Sequence, residues 1–276
     1  MARKSPQPEG PPPPPTVQKI RLRYAKRGRL RFTSHRDVAR VLERAVRRAG
    51  LPMAHSAGFS PHPKISWMGA SPTGVASEAE YVEIGLTEPM DPDDVRVRLD
   101  ASLPPDLDIL DAVVAGPGGL ADRLEASVWH LLLPGVPTAD AERAVVAFLA
   151  ESEVLVSRRT KDGSRELDAR AAVVSITATP AESGGEGHPC AILHTVVRHT
   201  TPVVRPDDVL AALRAVAALD LDAPMVATRL AQGPLRGATG DEAADPISVT
   251  VSDPLEPDRV AGEPVPLVTD TEIGTA

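Results

Sequence analysis

The chain has 276 residues, 42% of them hydrophobic and 25% charged, with a formal net charge of −8; that is room for one large domain or two small ones, each with its own core. No apolar run approaches the roughly 18 residues a membrane helix needs, and the charged start Met-Ala-Arg-Lys-Ser-Pro has no apolar stretch behind it to act as an export signal. The single cysteine, Cys190, excludes a disulfide framework and a Cys-based zinc or iron–sulfur site within this chain.

The expectation is therefore a cytoplasmic protein with no membrane partner, its core built from Val, Leu, Ala and Ile because aromatics are only 3%. The net charge hides a split. Residues 1–64 hold 15 Lys/Arg and three acids (Glu9, Asp37, Glu43), a net +12, while residues 65–276 hold 15 Lys/Arg and 35 acids, a net −20. Arginine supplies 25 of the 30 cations, as high-GC coding bias would produce, but such bias does not explain why acids avoid the first quarter. Segregation of this kind points to a polyanion site.

Taken in chain order, residues 1–16 read as a disordered Pro-rich leader. Ile20, Leu22 and Tyr24 alternate with Lys19, Arg21 and Arg23, which is strand periodicity. Ala25-Lys26-Arg27-Gly28 reads as a turn, and Arg29–Thr33 as a second arm or extension. Ser34, with Asp37 three residues on, has capping-box spacing, and Val38, Val41, Leu42, Ala45, Val46 and Ala49 form one helical face that ends at Gly50 and Pro52. Strands follow near Lys64–Ala70 and Glu80–Leu86, a helix over Pro92–Ser102 and a strand over Leu107–Val114. The second half repeats the order: strand Glu125–Leu133, helix Ala139–Ala150, strand Val154–Arg159, a further strand near Val173–Thr179, strand Ala191–Arg198, helix Asp207–Ala218 and strand Met225–Ala231.

The predicted fold class is α+β, with two tandem ferredoxin-like (β-α-β-β-α-β) units at 17–116 and 124–235. Residues 236–276 read as an acidic disordered tail, with Ile247–Val251 a weak edge-strand candidate. Such a tail would lie over the basic face and compete with nucleic acid.

The candidate site residues lie in the basic unit. Lys19, Arg21, Arg23, Arg29 and Arg31 point away from the apolar side of their strand, and Arg36, Arg40 and Arg44, with Arg47 a turn later, line one side of the helix. Arginine suits phosphate because its planar fork binds oxygens in pairs. The loop His55–Trp67 holds Pro61 and Pro63 around His62, and places Phe59 and Trp67 near Lys64. Stacking rings beside a cation make a workable single-strand site; the alternative is that Phe59 and Trp67 are core residues anchoring the loop. His35, beside the helix N-cap, is the one catalytic candidate, as a general acid or base in RNA cleavage, with a plain phosphate contact as the alternative. His35, His55 and His62 with Asp37 lack the i, i+4 spacing of a helical metal site, so no metal is assigned, and no cofactor is implied. Gly233–Gly237 matches no nucleotide-binding fingerprint.

The run Arg-Tyr-Ala-Lys-Arg-Gly-Arg-Leu-Arg-Phe-Thr-Ser-His-Arg-Asp, then Arg-Ala-Val-Arg-Arg-Ala-Gly-Leu-Pro, then Ser-Ala-Gly-Phe-Ser-Pro-His-Pro-Lys-Ile-Ser, resembles the radical-SAM-linked family of unknown function. Members of that family stand alone or are fused behind a radical SAM domain. The matching positions are Phe32, Ser34, His35, Asp37, Arg40, Arg47, Ser56, Gly58, Phe59, Pro61, Pro63 and Ser66, and the likeness spans roughly 17–235. Glu166-Leu-Asp-Ala-Arg170 departs from the family's Asp-Leu-Arg-Pro stretch. Without a Cys-x3-Cys-x2-Cys motif the chain is not itself a radical SAM enzyme. The family's gene neighbourhood implies a link to E/G-type ribonucleases and hence to RNA. A looser likeness, in element order and an early histidine, is to the duplicated ferredoxin-like endoribonucleases that process CRISPR RNA. The expectation is an RNA-binding or RNA-processing accessory factor. The rivals are a module docking a radical SAM enzyme or E/G-type ribonuclease, and a metal-independent endoribonuclease using His35.

Overall fold

The computed structural model describes residues 13–160, 163–181, 189–237 and 249–262. Strand β1 (Gln18–Lys26) buries Ile20, Leu22 and Tyr24 as its alternation predicts, and a 3-10 turn at Gly28–Phe32 follows. The predicted second arm at Arg29–Thr33 is therefore a turn. Gly28 sits at φ +50, and a Cβ there would run into the Asp106 carboxylate, so the chain reverses where glycine permits it. Helix α1 (His35–Arg48) starts at Ser34, whose hydroxyl oxygen accepts from Asp37 N, and buries Val38, Leu42, Ala45 and Val46. Then come β2 (Ile65–Met68), β3 (Ala76–Leu86), α2 (Pro92–Asp100, capped by Asp91) and β4 (Ile109–Val114).

The second half holds β5 (Ala126–Pro134), α3 (Thr138–Ala150), β6 (Leu155–Thr160), β7 (Gly163–Asp168), α4 (Ala169–Ala172), β8 (Val173–Pro180), β9 (Cys190–Arg198), α5 (Pro206–Ala217) and β10 (Val226–Gly233). Two short strands, β11 (Leu235–Arg236) and β12 (Thr250–Val251), and helix α6 (Glu256–Gly262) complete the described chain. The predicted strand at Val154–Arg159 exists, but it pairs only with β7 in a separate hairpin; β8 takes its place in the sheet. No helix among the described residues is long and apolar enough to cross a membrane.

One mixed eight-stranded sheet runs β4-β1-β3-β10-β5-β9-β8, with β2 also on β3. The first half thus reads β4-β1-β3-β2 and the second β10-β5-β9-β8, each set antiparallel throughout. Two separate four-stranded sheets were the expectation; a single sheet results because β3 outruns β2. Strand β2 pairs only with residues 81–84 of β3, and β10 pairs in parallel with Ala76 and Ser77 beyond it. Helices α1 and α2 cover a core of Ile20, Leu22, Val82 and Ile84, and α3 and α5 a second around Leu131, Leu133, Phe148 and Leu193. A third, smaller cluster holds Tyr81, Val113, Leu120 and Leu255.

That third cluster corrects the tail. Residues 249–262 are not a solvated appendage: Leu255 is fully buried and α6 packs beside β4. The acids there are structural. Asp258 accepts from Arg21 Nη1 (2.7 Å), Arg123 Nη1 (2.9 Å) and Gly116 N (2.9 Å). Ile247 and the rest of 238–248, with 263–276 and the leader 1–12, lie outside the described residues.

Candidate nucleic-acid interface

The sequence dictates two opposite surfaces for the basic residues of the first half. Along β1, alternation places Arg21 opposite Ile20 and Leu22. That opposite side is not solvent. Arg21 is only 3% exposed, held by Glu83 Oε2 (3.0 Å) and Asp258 beneath α6, so the expectation that it contacts a ligand fails. Burial by itself would raise the Glu83 and Asp258 carboxyls, but hydrogen bonds from Lys19 and Arg21, and from Arg123 and Arg21, carry both below the usual range. Lys19 pairs with Glu83 Oε1 (2.8 Å) at the exposed edge of this network, and Arg23 Nε donates to Glu78 O (2.7 Å). Alternation showed that these residues leave the apolar side; it did not show that a segment over 200 residues later covers the other.

Helix α1 behaves as expected. Its core-facing side is apolar, and Arg36, Arg40, Arg44, Arg47 and Arg48 are all exposed. Among the described residues, only Arg40 of these five has a carboxylate partner, Asp37 at 3.3 Å. Arg47 Nε donates to Glu43 O and Arg48 Nη1 to Ser102 O, which fixes their stems without neutralising them. Arg29 is exposed on the 3-10 turn, and Arg31 lies over the ring of Phe32 (4.7 Å), itself 59% exposed.

The loop after α1 is closed by an isolated bridge, His55 to Pro63, with Ser56 N donating to His62 O (2.9 Å) and Lys64 N to Ala54 O (2.7 Å). Those bonds hold a narrow loop with Gly58 (φ +138) near its tip and Phe59 72% exposed. The two aromatic candidates therefore separate. Phe59 projects into solvent, whereas Trp67 is half-buried at the edge of the first core, edge-on to Tyr24 (6.1 Å) and to His35 (5.0 Å).

His62 stands between two cavities. One, of about 390 Å³, lies toward Glu43, Arg47 and Met53 of the helix side; the other, of about 470 Å³, lies toward Lys19, Lys64 and Ser66. His62 and Pro63 thus border both Arg47 on the helix side and Lys64 and Lys19 on the other, while His35 stands apart against Trp67. Among the described residues no three His, Cys, Asp or Glu side chains come together to hold a metal; His55 Nδ1 instead faces Met53 O (3.0 Å). Phe32, exposed next to Arg31, is a surface aromatic that strand alternation places on the buried side.

Fold and surface together define an α+β protein that presents an arginine-rich helix face and a projecting aromatic loop. The chain belongs to DUF2344, described as an uncharacterized protein family conserved in bacteria, which it matches over residues 19–206. No curated protein matches the sequence. Among solved structures it is similar to a chain of a Cbf5–Nop10–Gar1 complex (13% identity, TM-score 0.43, 83% of this chain and 55% of that one). It is also similar to an unknown protein from Galdieria sulphuraria (12%, TM-score 0.22, 77% and 98%) and to the first two RRM domains of the yeast poly(U)-binding protein Pub1 (10%, TM-score 0.18, 76% and 98%). The chain spans about half the length of the Cbf5-complex chain it matches. Likenesses this distant carry no argument about function.

Proposed function

We propose that this protein is an RNA-binding accessory factor made of two ferredoxin-like units, 17–116 and 124–235, fused edge to edge through β3 and β10. The strand order recurring in the two halves supports that reading of the fold. The observation that carries the function is the state of the α1 arginines: five exposed guanidinium groups share one carboxylate among the described residues, whereas Arg21, Arg27, Arg123, Arg158 and Arg259 are each paired with acids. Unpaired guanidinium forks at helical spacing match a phosphate backbone. Phe59 at the loop tip offers a stacking face to an unpaired base, the manner in which single-stranded RNA is read. By its resemblance to the radical-SAM-linked family, the protein acts beside a radical SAM enzyme or an E/G-type ribonuclease in the cytoplasm.

The test is the salt dependence of RNA binding by the parent and by the triple variant Arg36→Gln, Arg40→Gln, Arg44→Gln. Each lost phosphate contact reduces the slope of log K against log salt by about 0.7–0.9, so the triple variant should flatten it by about two while the melting temperature stays nearly constant. Equal affinity and slope would reject the basic face as an RNA site and leave the protein-docking reading in its place.

A further inference from the structure

The sheet is joined where β10 meets β3, and a cavity of about 250 Å³ opens on that seam, between Pro72 of the first half and Trp129 and Val204 of the second. This is far above the roughly 10–15 Å³ that one water occupies. Its polar lining is Ser127, His199, Arg229 and the exposed Arg205, and none of the four belongs to the basic face described above.

Arg229 is 6% exposed. Its Nη1 donates to Gly69 O and to Glu80 Oε1 (3.2 Å), and its guanidinium lies over the Trp129 ring at 4.9 Å. Its Nε is buried with no hydrogen-bond partner among the described residues. Glu80, 2% exposed, also accepts from Ser71 N (2.8 Å). Lys26, 3% exposed, lies in the field of both Glu80 and Arg229, and its ammonium donates to the carbonyls of Ser71 and Pro72. Two buried cations thus face one buried carboxylate. A positive charge left without a counter-charge in the interior is costly, and here it borders an open space that an anion would fill.

The remaining polar pair sets what else the space accepts. The Leu124 carbonyl can only accept, so His199 Nδ1 donates to it (2.7 Å), and His199 Nε2 accepts the Ser127 hydroxyl proton (2.7 Å). Ser127 Oγ is then an acceptor toward any further group. Apart from Arg205 the rest of the wall is apolar and aromatic, with Trp129, Val197 and Val204.

We propose that the seam cavity is a binding site for a small organic monocarboxylate. The carboxylate sits against the Arg229 guanidinium, the apolar body lies along Trp129 and the valines, and a hydroxyl or amino substituent donates to Ser127. The residual buried charge of one favours a monoanion over a phosphate monoester, a dianion near neutrality, because Arg205 is exposed and its charge is screened by solvent. This site is independent of RNA binding.

The test uses the full chain with Trp67→Phe, which leaves Trp129 as the one remaining tryptophan and so as a reporter inside the cavity. Benzoate, its neutral isostere benzamide, and phenyl phosphate are titrated in turn. Benzoate should give a saturable fluorescence change, with benzamide weaker by about tenfold or more, as a lost charged hydrogen bond requires, and phenyl phosphate weaker than benzoate. Arg229→Gln should erase the preference for benzoate over benzamide. Should that variant fail to fold, Val203→Phe, which blocks the mouth and keeps every charge, should abolish benzoate binding with the circular dichroism unchanged. Equal binding of benzoate and benzamide, tighter binding of phenyl phosphate, unaltered benzoate binding in Val203→Phe, or no saturation at millimolar concentrations would overturn the proposal.

Discussion

Asp258 is the counter-ion of Arg123 and, with Glu83, of Arg21, and Asp258→Ala tests whether α6 is part of the folded structure. The carboxylate is fully buried; both its oxygens accept from Arg21 Nη1 (2.7 and 2.9 Å) and it takes a bidentate pair from Arg123 Nη1 and Nη2 (2.9 and 3.1 Å), with Gly116 N as a further donor. Its removal leaves Arg21, 3% exposed, with Glu83 and a backbone carbonyl alone. Breaking a buried ion pair from one side costs about 3–5 kcal/mol, a large part of the roughly 5–15 kcal/mol that holds a domain together. With a urea slope of about 3 kcal/mol/M, the unfolding midpoint should fall by more than about 1 M at unchanged slope. Replacing Arg21 and Asp258 together by apolar residues, Arg21→Met with Asp258→Leu, should recover part of the loss, because the unpaired charge of Arg21 is then gone while Arg123 still lacks its carboxylate. A midpoint for Asp258→Ala indistinguishable from the parent would refute the docking of α6 under β1.

The two ring substitutions should part company: Phe59→Ala should weaken binding of unpaired RNA by about 1–3 kcal/mol at constant melting temperature, while Trp67→Ala should mainly lower the melting temperature. A chain ending at residue 248 loses Leu255 and Asp258; it should melt earlier and bind RNA no more tightly at low salt, because α6 lies on the side of the sheet away from α1, and tighter binding would restore the competing-tail expectation. Burial holds His130, His194 and His199 below the usual histidine value, with the charge of His194 adding to it at His130 and that of Arg229 at His199, against the Leu124 hydrogen bond. The unfolded chain therefore takes up these protons first. The stability they contribute is complete above pH of about 6.5 and is lost as pH falls through the lower folded values. The melting temperature should decline between about pH 7 and 5, ahead of the loss as Glu83 and Asp258 protonate; a flat profile there would contradict the burial of these rings.

Local rules read most of the elements correctly because the signals were local. Ser34 and Asp37 marked the start of α1, Asp91-Pro92 that of α2, and the alternation in β1 placed Ile20, Leu22 and Tyr24 inside. The misreadings share a cause in distance along the chain. Nothing near Arg21 indicates that Asp258 will cover it, and polarity alone made its side look solvated. The acids of the tail read as a disordered run, yet Asp253 and Glu256 pair with Arg259, and Asp258 with Arg21 and Arg123. Arg29–Thr33 alternates like a strand, but Gly28 turns the chain first. The seam pocket left no trace at all, since Ser127, His199 and Arg229 come from three strands or strand ends, and the parallel pairing of β3 with β10 has no sequence pattern of its own. Helix periodicity, by contrast, located every arginine of α1 on its correct side.

The parallel joint between β3 and β10 has a consequence for synthesis. The ribosome releases β3 about 150 residues before β10, which at roughly 5–20 residues per second is an interval of about 7–30 s. Throughout it, the first half presents the bare Ala76–Ser77 edge of β3, and Glu80 waits beside Lys26 for Arg229. An unpaired strand edge is a template for another chain. The nascent protein therefore passes through a window in which self-association competes with folding, and that window closes only when Val226–Gly233 leaves the exit tunnel. Slowing elongation within residues 87–225 should increase insoluble product, whereas slowing it after the joint has formed should not.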